Sequence, residues 1–181
     1  MERQITLIAL FAALIAVLGL VPKFTLASGI PITAPGMGIM LCGTVLGARR
    51  GALAVLLFLG LVALGLPLLA GGRGGLGVFA GPTVGFLIGF PIAAFVTGWI
   101  TEKMRGTPVF PAALIAAILG GILVLYIPGI LGMTAMLDMT LAQASLSMAP
   151  FIPGDLIKAG LAAALTASLY KARPASVLSR A

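Results

Sequence analysis

The chain has 181 residues, 61% hydrophobic and 8% charged, with a net charge of +7 and a mean hydropathy of +1.23. A soluble domain is nearer half apolar and a quarter charged, so this composition excludes a water-soluble globular protein and makes the bilayer the solvent. Histidine is absent and Cys42 is the single cysteine, which excludes intrachain disulfides, His/Cys metal sites and His-based acid–base catalysis.

The positive residues lie in short loops and near the termini, not in a solvated basic domain. They read as orientation signals in a membrane and argue against nucleic acid as a partner. Ile5 to Val21 is an apolar run after Glu2-Arg3, just long enough to span. A charged start also fits a secretory signal, but the run is long for one and no convincing small-x-small cleavage site follows. It therefore reads as a retained first helix. Its Ala9, Ala12, Ala13 and Ala16 form overlapping small-xxx-small pairs, suited to packing within the bundle or to docking another membrane protein.

Pro22-Lys23 opens a loop, and Pro31 and Pro35 keep the following stretch irregular. Only Gly36 onward can be regular helix before Arg49-Arg50. About 12 residues at ~1.5 Å each fall short of a ~30 Å core, so the second crossing is a short helix preceded by extended chain. Ala52 to Leu66 is the third span, closed by Pro67. The loop Gly71-Gly72-Arg73-Gly74-Gly75-Leu76-Gly77 follows. Gly72, Gly74 and Gly77 match the dinucleotide fingerprint formally, but a membrane helix stands where that motif requires a strand. What remains is a glycine-dense backbone that can approach a ligand closely, or a flexible connector. Arg73 offers either a carboxylate clamp or a solvated charge.

Pro82 to Ile100 is the fourth span. Gly81, Gly85, Gly89, Ala93 and Thr97 repeat every four residues and admit a close neighbour, Pro91 is expected to kink the helix, and Phe86 and Phe90 border the stripe. Val109 to Ile127 is the fifth span, expected to stop at Pro128. Gly129 to Ala149 suggests a short interfacial amphipathic helix with Asp138 and Gln143 towards water. The sixth span is expected to begin at Asp155 and to run to about Tyr170.

Pro153-Gly154 precedes Asp155 and Lys158, two charges three residues apart and hence on one helix face. Charges within a membrane helix mark a site by default. Asp155 can accept from N–H groups, and Lys158 can donate to a carbonyl or pair with a carboxylate. The bland alternative makes Asp155 an N-cap with Lys158 as its salt-bridge partner. Six spans with both termini cytoplasmic put Arg3, Arg49, Arg50, Lys103, Arg105, Lys171, Arg173 and Arg180 inside, in line with the positive-inside rule. The glycine loop and the charged pair then share one outward mouth. No G-x-x-x-x-G-K-[ST] occurs, so a pump built on this chain borrows its energy from a partner.

The run Leu46-Gly47-Ala48-Arg49-Arg50-Gly51-Ala52-Leu53, the Gly65-Leu66-Pro67 turn, the loop Gly71 to Gly77, Gly81-Pro82-Thr83 and Pro150 to Lys158 together resemble the BioY family. Members are biotin-specific substrate (S) subunits of energy-coupling factor (ECF) transporters. The resemblance implies an all-α membrane protein, residues 1–181 as a single integral domain, in a six-helix S-component bundle in the bacterial cytoplasmic membrane. It implies biotin as transported ligand with no cofactor, and a transmembrane coupling protein with cytoplasmic ATPases as partners. Asp155 and Lys158 map onto the family's biotin contacts. Gly72, Arg73, Gly74, Gly75, Leu76, Gly77 and Phe86 complete the expected site, and Ala9, Ala12, Ala13 and Ala16 become the expected docking face. Val84 and Phe86 depart from the glycine and tyrosine common in the family. An autonomous biotin carrier and an intramembrane enzyme using Asp155 and Lys158 are the alternative readings, and homo-oligomerisation is left open.

Overall fold

The central helix turns its small residues inward and many large apolar ones outward, while large side chains such as Ile15, Leu46 and Phe58 from other segments fill the core. In the computed structural model, which describes residues 2–21, 24–25, 31–32 and 34–180, helix α4 is Val84–Lys103. It buries Gly85, Gly89, Ala93 and Thr97 and exposes Ile88, Ile92, Phe95 and Trp99. When lipid is the solvent, exposing large aliphatics costs nothing and helices associate through close backbone approach. Gly98 is packed so tightly on the Gly47-Ala48 backbone that a methyl group there would collide with it.

The other helices are α1 (Glu2–Leu20), α2 (Pro35–Leu41), α3 (Ala48–Ala63), α5 (Val109–Ile118), α6 (Leu125–Leu137), α7 (Leu141–Met148) and α8 (Ile152–Ala172). A wide turn, Cys42–Leu46, extends α2, and another, Leu119–Val124, joins α5 to α6 in one continuous stretch. Phe24–Thr25 pairs antiparallel with Pro31–Ile32. Among the described residues, four helical stretches are long and apolar enough to cross a membrane: Glu2–Leu20, Val84–Lys103, Val109–Leu137 and Leu141–Ala172. Pro35–Leu46 is the short apolar helix that its prolines predict, whereas most of the expected extended chain before it lies outside the described residues. Helix α4 is central, packed against α3, α5 and α6, while α8 packs on α2 and α5.

Pro128 does not end a helix. Helix α6 runs through it to Leu137, because tertiary contact outweighs the local cost of proline. The glycine stripe of α4 receives it: a Cβ at Gly85 would collide with the Pro128 carbonyl, and one at Gly89 with the Pro128 ring. Met133, Met136 and Leu137 therefore belong to α6, not to an interfacial helix. Asp138, with φ 51°, ends α6 in the left-handed conformation. Helix α7 then starts from a reciprocal cap in which Thr140 and Gln143 satisfy each other's backbone amides. The last helix starts at Ile152, three residues before Asp155.

At the other end of the bundle the chain closes on itself. Ser179 is fully buried and donates to the Thr44 carbonyl. The hydroxyls of Thr44 and Thr166 lie 2.8 Å apart, pinning the wide turn after α2 to α8. Glu102 accepts from the Ala48 amide at 3.0 Å, so α4 supplies a cap for the start of α3, where Arg49 and Arg50 would otherwise add to the helix dipole.

Candidate ligand-binding site

A tight turn at Ala149–Phe151 joins α7 to α8 and brings Asp155 into the first turn of α8. Negative charge is favourable there, where unpaired amides point outward. Phe151, not Asp155, holds the capping position, so the N-cap role is corrected. The ion pair itself is formed: Lys158 Nζ donates to Asp155 Oδ1 at 2.7 Å, with the two side chains 10% and 16% exposed. The other carboxylate oxygen is also engaged, since the Tyr126 hydroxyl donates to Oδ2 at 2.6 Å. Desolvating two charges costs several kcal/mol, roughly offset when geometry is good and additional hydrogen bonds fill the remaining positions. Gly36 of α2 lies beside the Lys158 stem, where a Cβ would sit 4.0 Å from Cδ in ordinary van der Waals contact.

The triad of Tyr126, Asp155 and Lys158 forms the polar part of a cavity of about 430 Å³. Helices α2, α4, α6, α7 and α8 and the loop before α4 contribute its walls. Phe86, Leu87 and Phe90 come from α4, Leu125 and Met133 from α6, and Met148 and Phe151 from the α7–α8 junction. This is a mostly apolar cleft with few convergent polar groups, the design of a small-molecule site. No group of three or more His, Cys, Asp or Glu side chains suited to a metal occurs among the described residues.

Four of the expected site residues meet in this cavity: Asp155, Lys158, Phe86 and Arg73. Phe86 is held by Gly129, where a Cβ would overlap its ring. Arg73 is exposed, and its Nε donates to the Ala70 carbonyl at 3.4 Å. Gly72, Gly74, Gly75, Leu76 and Gly77 stand outside the walls, and Leu76 is 74% exposed. Their glycines shape the loop. Gly71, Gly72 and Gly75 have φ of 84°, 69° and 82°, and Gly74 sits against the Leu66 carbonyl with no space for a side chain. The turn they build, with Leu69 N donating to Arg73 O at 3.0 Å, sets Arg73 at the cavity.

Tyr126 is the member of the site that sequence reading missed. A tyrosine in an aliphatic span, in a chain with only two, was the available signal. Along α1, Ala9 and Ala13 are exposed and Ala16 is half-buried, but Ala12 is 1% exposed and belongs to the core. Ala12 is thus removed from the expected docking face: at i+3 from Ala9 and one residue from Ala13, it points into the bundle.

The sequence profile of the BioY family matches residues 2–175. The chain belongs to the BioY family. The biotin transporter BioY of Rhodobacter capsulatus is 53% identical, over 99% of this chain and 100% of that protein. The biotin transporter BioY of Rhizobium etli is 48% identical over 90% of each chain. Among solved structures, the S-component for biotin from an ECF-type ABC transporter matches with a TM-score of 0.85 at 32% identity, covering 94% of this chain and 92% of that one. The BioY fold is therefore present here essentially end to end.

Proposed function

We propose that this chain captures biotin as the substrate-specificity subunit of an ECF transporter and performs no covalent chemistry. The observation that carries the reading is the Tyr126–Asp155–Lys158 triad, walled into an apolar cavity of a BioY-family bundle. Biotin has a ureido ring with two N–H donors and one carbonyl, a thioether ring, and an aliphatic tail ending in a carboxylate. Asp155 accepts from the ureido N–H groups: a carboxylate has about four acceptor positions, so it does this while keeping Tyr126 and Lys158. Lys158 has further N–H groups for the ureido carbonyl. Phe86, Phe90 and Met133 receive the thioether ring and tail, and Arg73 meets the carboxylate at the loop side.

The topology proposed is six crossings in the cytoplasmic membrane of a bacterium, as one integral domain over 1–181. Both termini lie in the cytoplasm and the cavity faces outward. The distribution of Lys and Arg supports this. Energy enters in trans, from a coupling protein and its ATPases, since the chain carries no P-loop. The exposed small residues Ala9 and Ala13, with half-buried Ala16, present the surface on which the coupling protein docks.

Labelled biotin binding to the purified chain in detergent is the direct test. Saturable binding, competed by unlabelled biotin and recovered chemically unchanged, is expected. Absence of saturable binding overturns the reading.

A further inference from the structure

The end of the bundle opposite the biotin cavity holds a second cavity, of about 360 Å³, between the α4–α5 loop, the end of α8 and the chain terminus. Its walls are Arg105, Gly106, Thr107, Pro108, Val109, Tyr170 and Arg180. Among the described residues, two guanidinium groups and no carboxylate line it. Arg180 is half-anchored: Nη1 donates to the Met104 carbonyl at 2.7 Å, whereas Nε and Nη2 are buried with no partner among the described residues. Unpartnered buried donors on a cation are costly, and the cost is relieved when an anion occupies the adjacent space. Helix α5 opens into the same cavity with no side-chain cap, which adds the positive end of its dipole.

We infer that this cavity is a binding site for a phosphate group, held between Arg105 and Arg180 at the start of α5. The planar fork of arginine suits tetrahedral phosphate oxygens, Thr107 and Tyr170 supply hydroxyl donors, and a bound anion draws the Arg180 guanidinium round so that Nε and Nη2 gain acceptors. The electrostatics agree. Burial lowers the Arg180 pKa from the ordinary guanidinium value, Tyr170 opposes this, and the nearby Arg105 charge lowers it further. An anion would answer both unfavourable contributions. The phosphate has two sources, an anionic phospholipid headgroup at the membrane surface or a soluble phosphate, and this site is separate from biotin capture.

Thermal unfolding of the full chain in detergent distinguishes them. The probes are phosphatidylglycerol, phosphatidylcholine, and inorganic phosphate added to phosphatidylcholine micelles at constant ionic strength. A ligand of the folded state at about 100 times its Kd raises the melting midpoint by roughly 5–10 °C for a chain of this size. A rise with phosphatidylglycerol over phosphatidylcholine assigns the lipid headgroup, and a rise with inorganic phosphate assigns a soluble anion. Either rise must be lost in Arg105→Ala. Arg105 is exposed and makes no side-chain hydrogen bond among the described residues, so the ligand-free midpoint of that variant should match the parent. Arg180→Gln is the second variant and should lose the same shift. Equal midpoints with both lipids and no response to phosphate overturn the inference, as does an undiminished shift in Arg105→Ala.

Discussion

The Tyr126 hydroxyl donates to Asp155 Oδ2 at 2.6 Å, joining α6 to α8 across 29 residues of sequence. Lys158 holds the other oxygen from one turn along α8. The carboxylate is therefore fixed from two directions, and it lines the cavity. Removing the phenol hydroxyl in Tyr126→Phe keeps the ring and its packing but frees Asp155 to rotate. Hydrogen bonds to charged groups contribute about 1.5–3 kcal/mol, so biotin affinity should fall about 10- to 100-fold. Equilibrium binding of labelled biotin checks this. An unchanged affinity would make Tyr126 a support of the fold only.

Lys158→Met tests the ion pair. It fills similar space but leaves Asp155 a partly buried carboxylate with Tyr126 as its remaining partner. Breaking a buried pair costs about 3–5 kcal/mol, and the partial exposure of both groups reduces this to about 2 kcal/mol here. The melting midpoint should fall and biotin binding should weaken by about 100-fold or more. The double variant Asp155→Asn/Lys158→Met removes both charges. It should recover much of the lost stability without recovering binding, which separates the structural role of the pair from its role towards ligand.

Gly129 and Phe86 form a second, apolar coupling. A methyl group at position 129 overlaps the Phe86 ring, and the ring is a wall of the cavity. Gly129→Ala should push Phe86 into the ligand space and weaken biotin binding about tenfold or more, while overpacking costs about 1–3 kcal/mol of stability. Adding Phe86→Leu should restore part of both. A Gly129→Ala variant with parental affinity would show that Phe86 yields away from the cavity.

Much of this was legible in the sequence because the bilayer imposes simple rules. Apolar length gave the long helices, proline density gave the short α2, and the charges at Asp155 and Lys158 stood out against a chain that avoids them. The misreadings share one cause: local punctuation yields to tertiary contact. Pro128 is a helix breaker by local rules, yet the glycines of α4 accommodate it, and α6 continues for nine residues to Leu137. The glycine loop allows two readings in sequence, ligand cradle or connector; in the structure its positive-φ positions shape its own turn, and Arg73 is its residue at the cavity. Tyr126 escaped because its partner lies in another helix, and no spacing rule along one chain segment links them.

The alanines of α1 allow two effects to be separated within neighbouring positions. Ala12 is 1% exposed in the core, and Ala13 is exposed. Ala12→Phe forces a large side chain into packed space, so it should lower the melting midpoint through a cost of about 1–3 kcal/mol or more. Ala13→Phe adds the same bulk on the outer surface, where lipid accepts it, and should leave both the midpoint and biotin binding at parental values. A helix that must come within close backbone contact of α1 cannot tolerate that bulk. Biotin uptake by cells carrying the coupling protein and its ATPases should therefore fall at least about tenfold in Ala13→Phe, although the purified variant binds normally. Full uptake by Ala13→Phe would remove the docking face from α1.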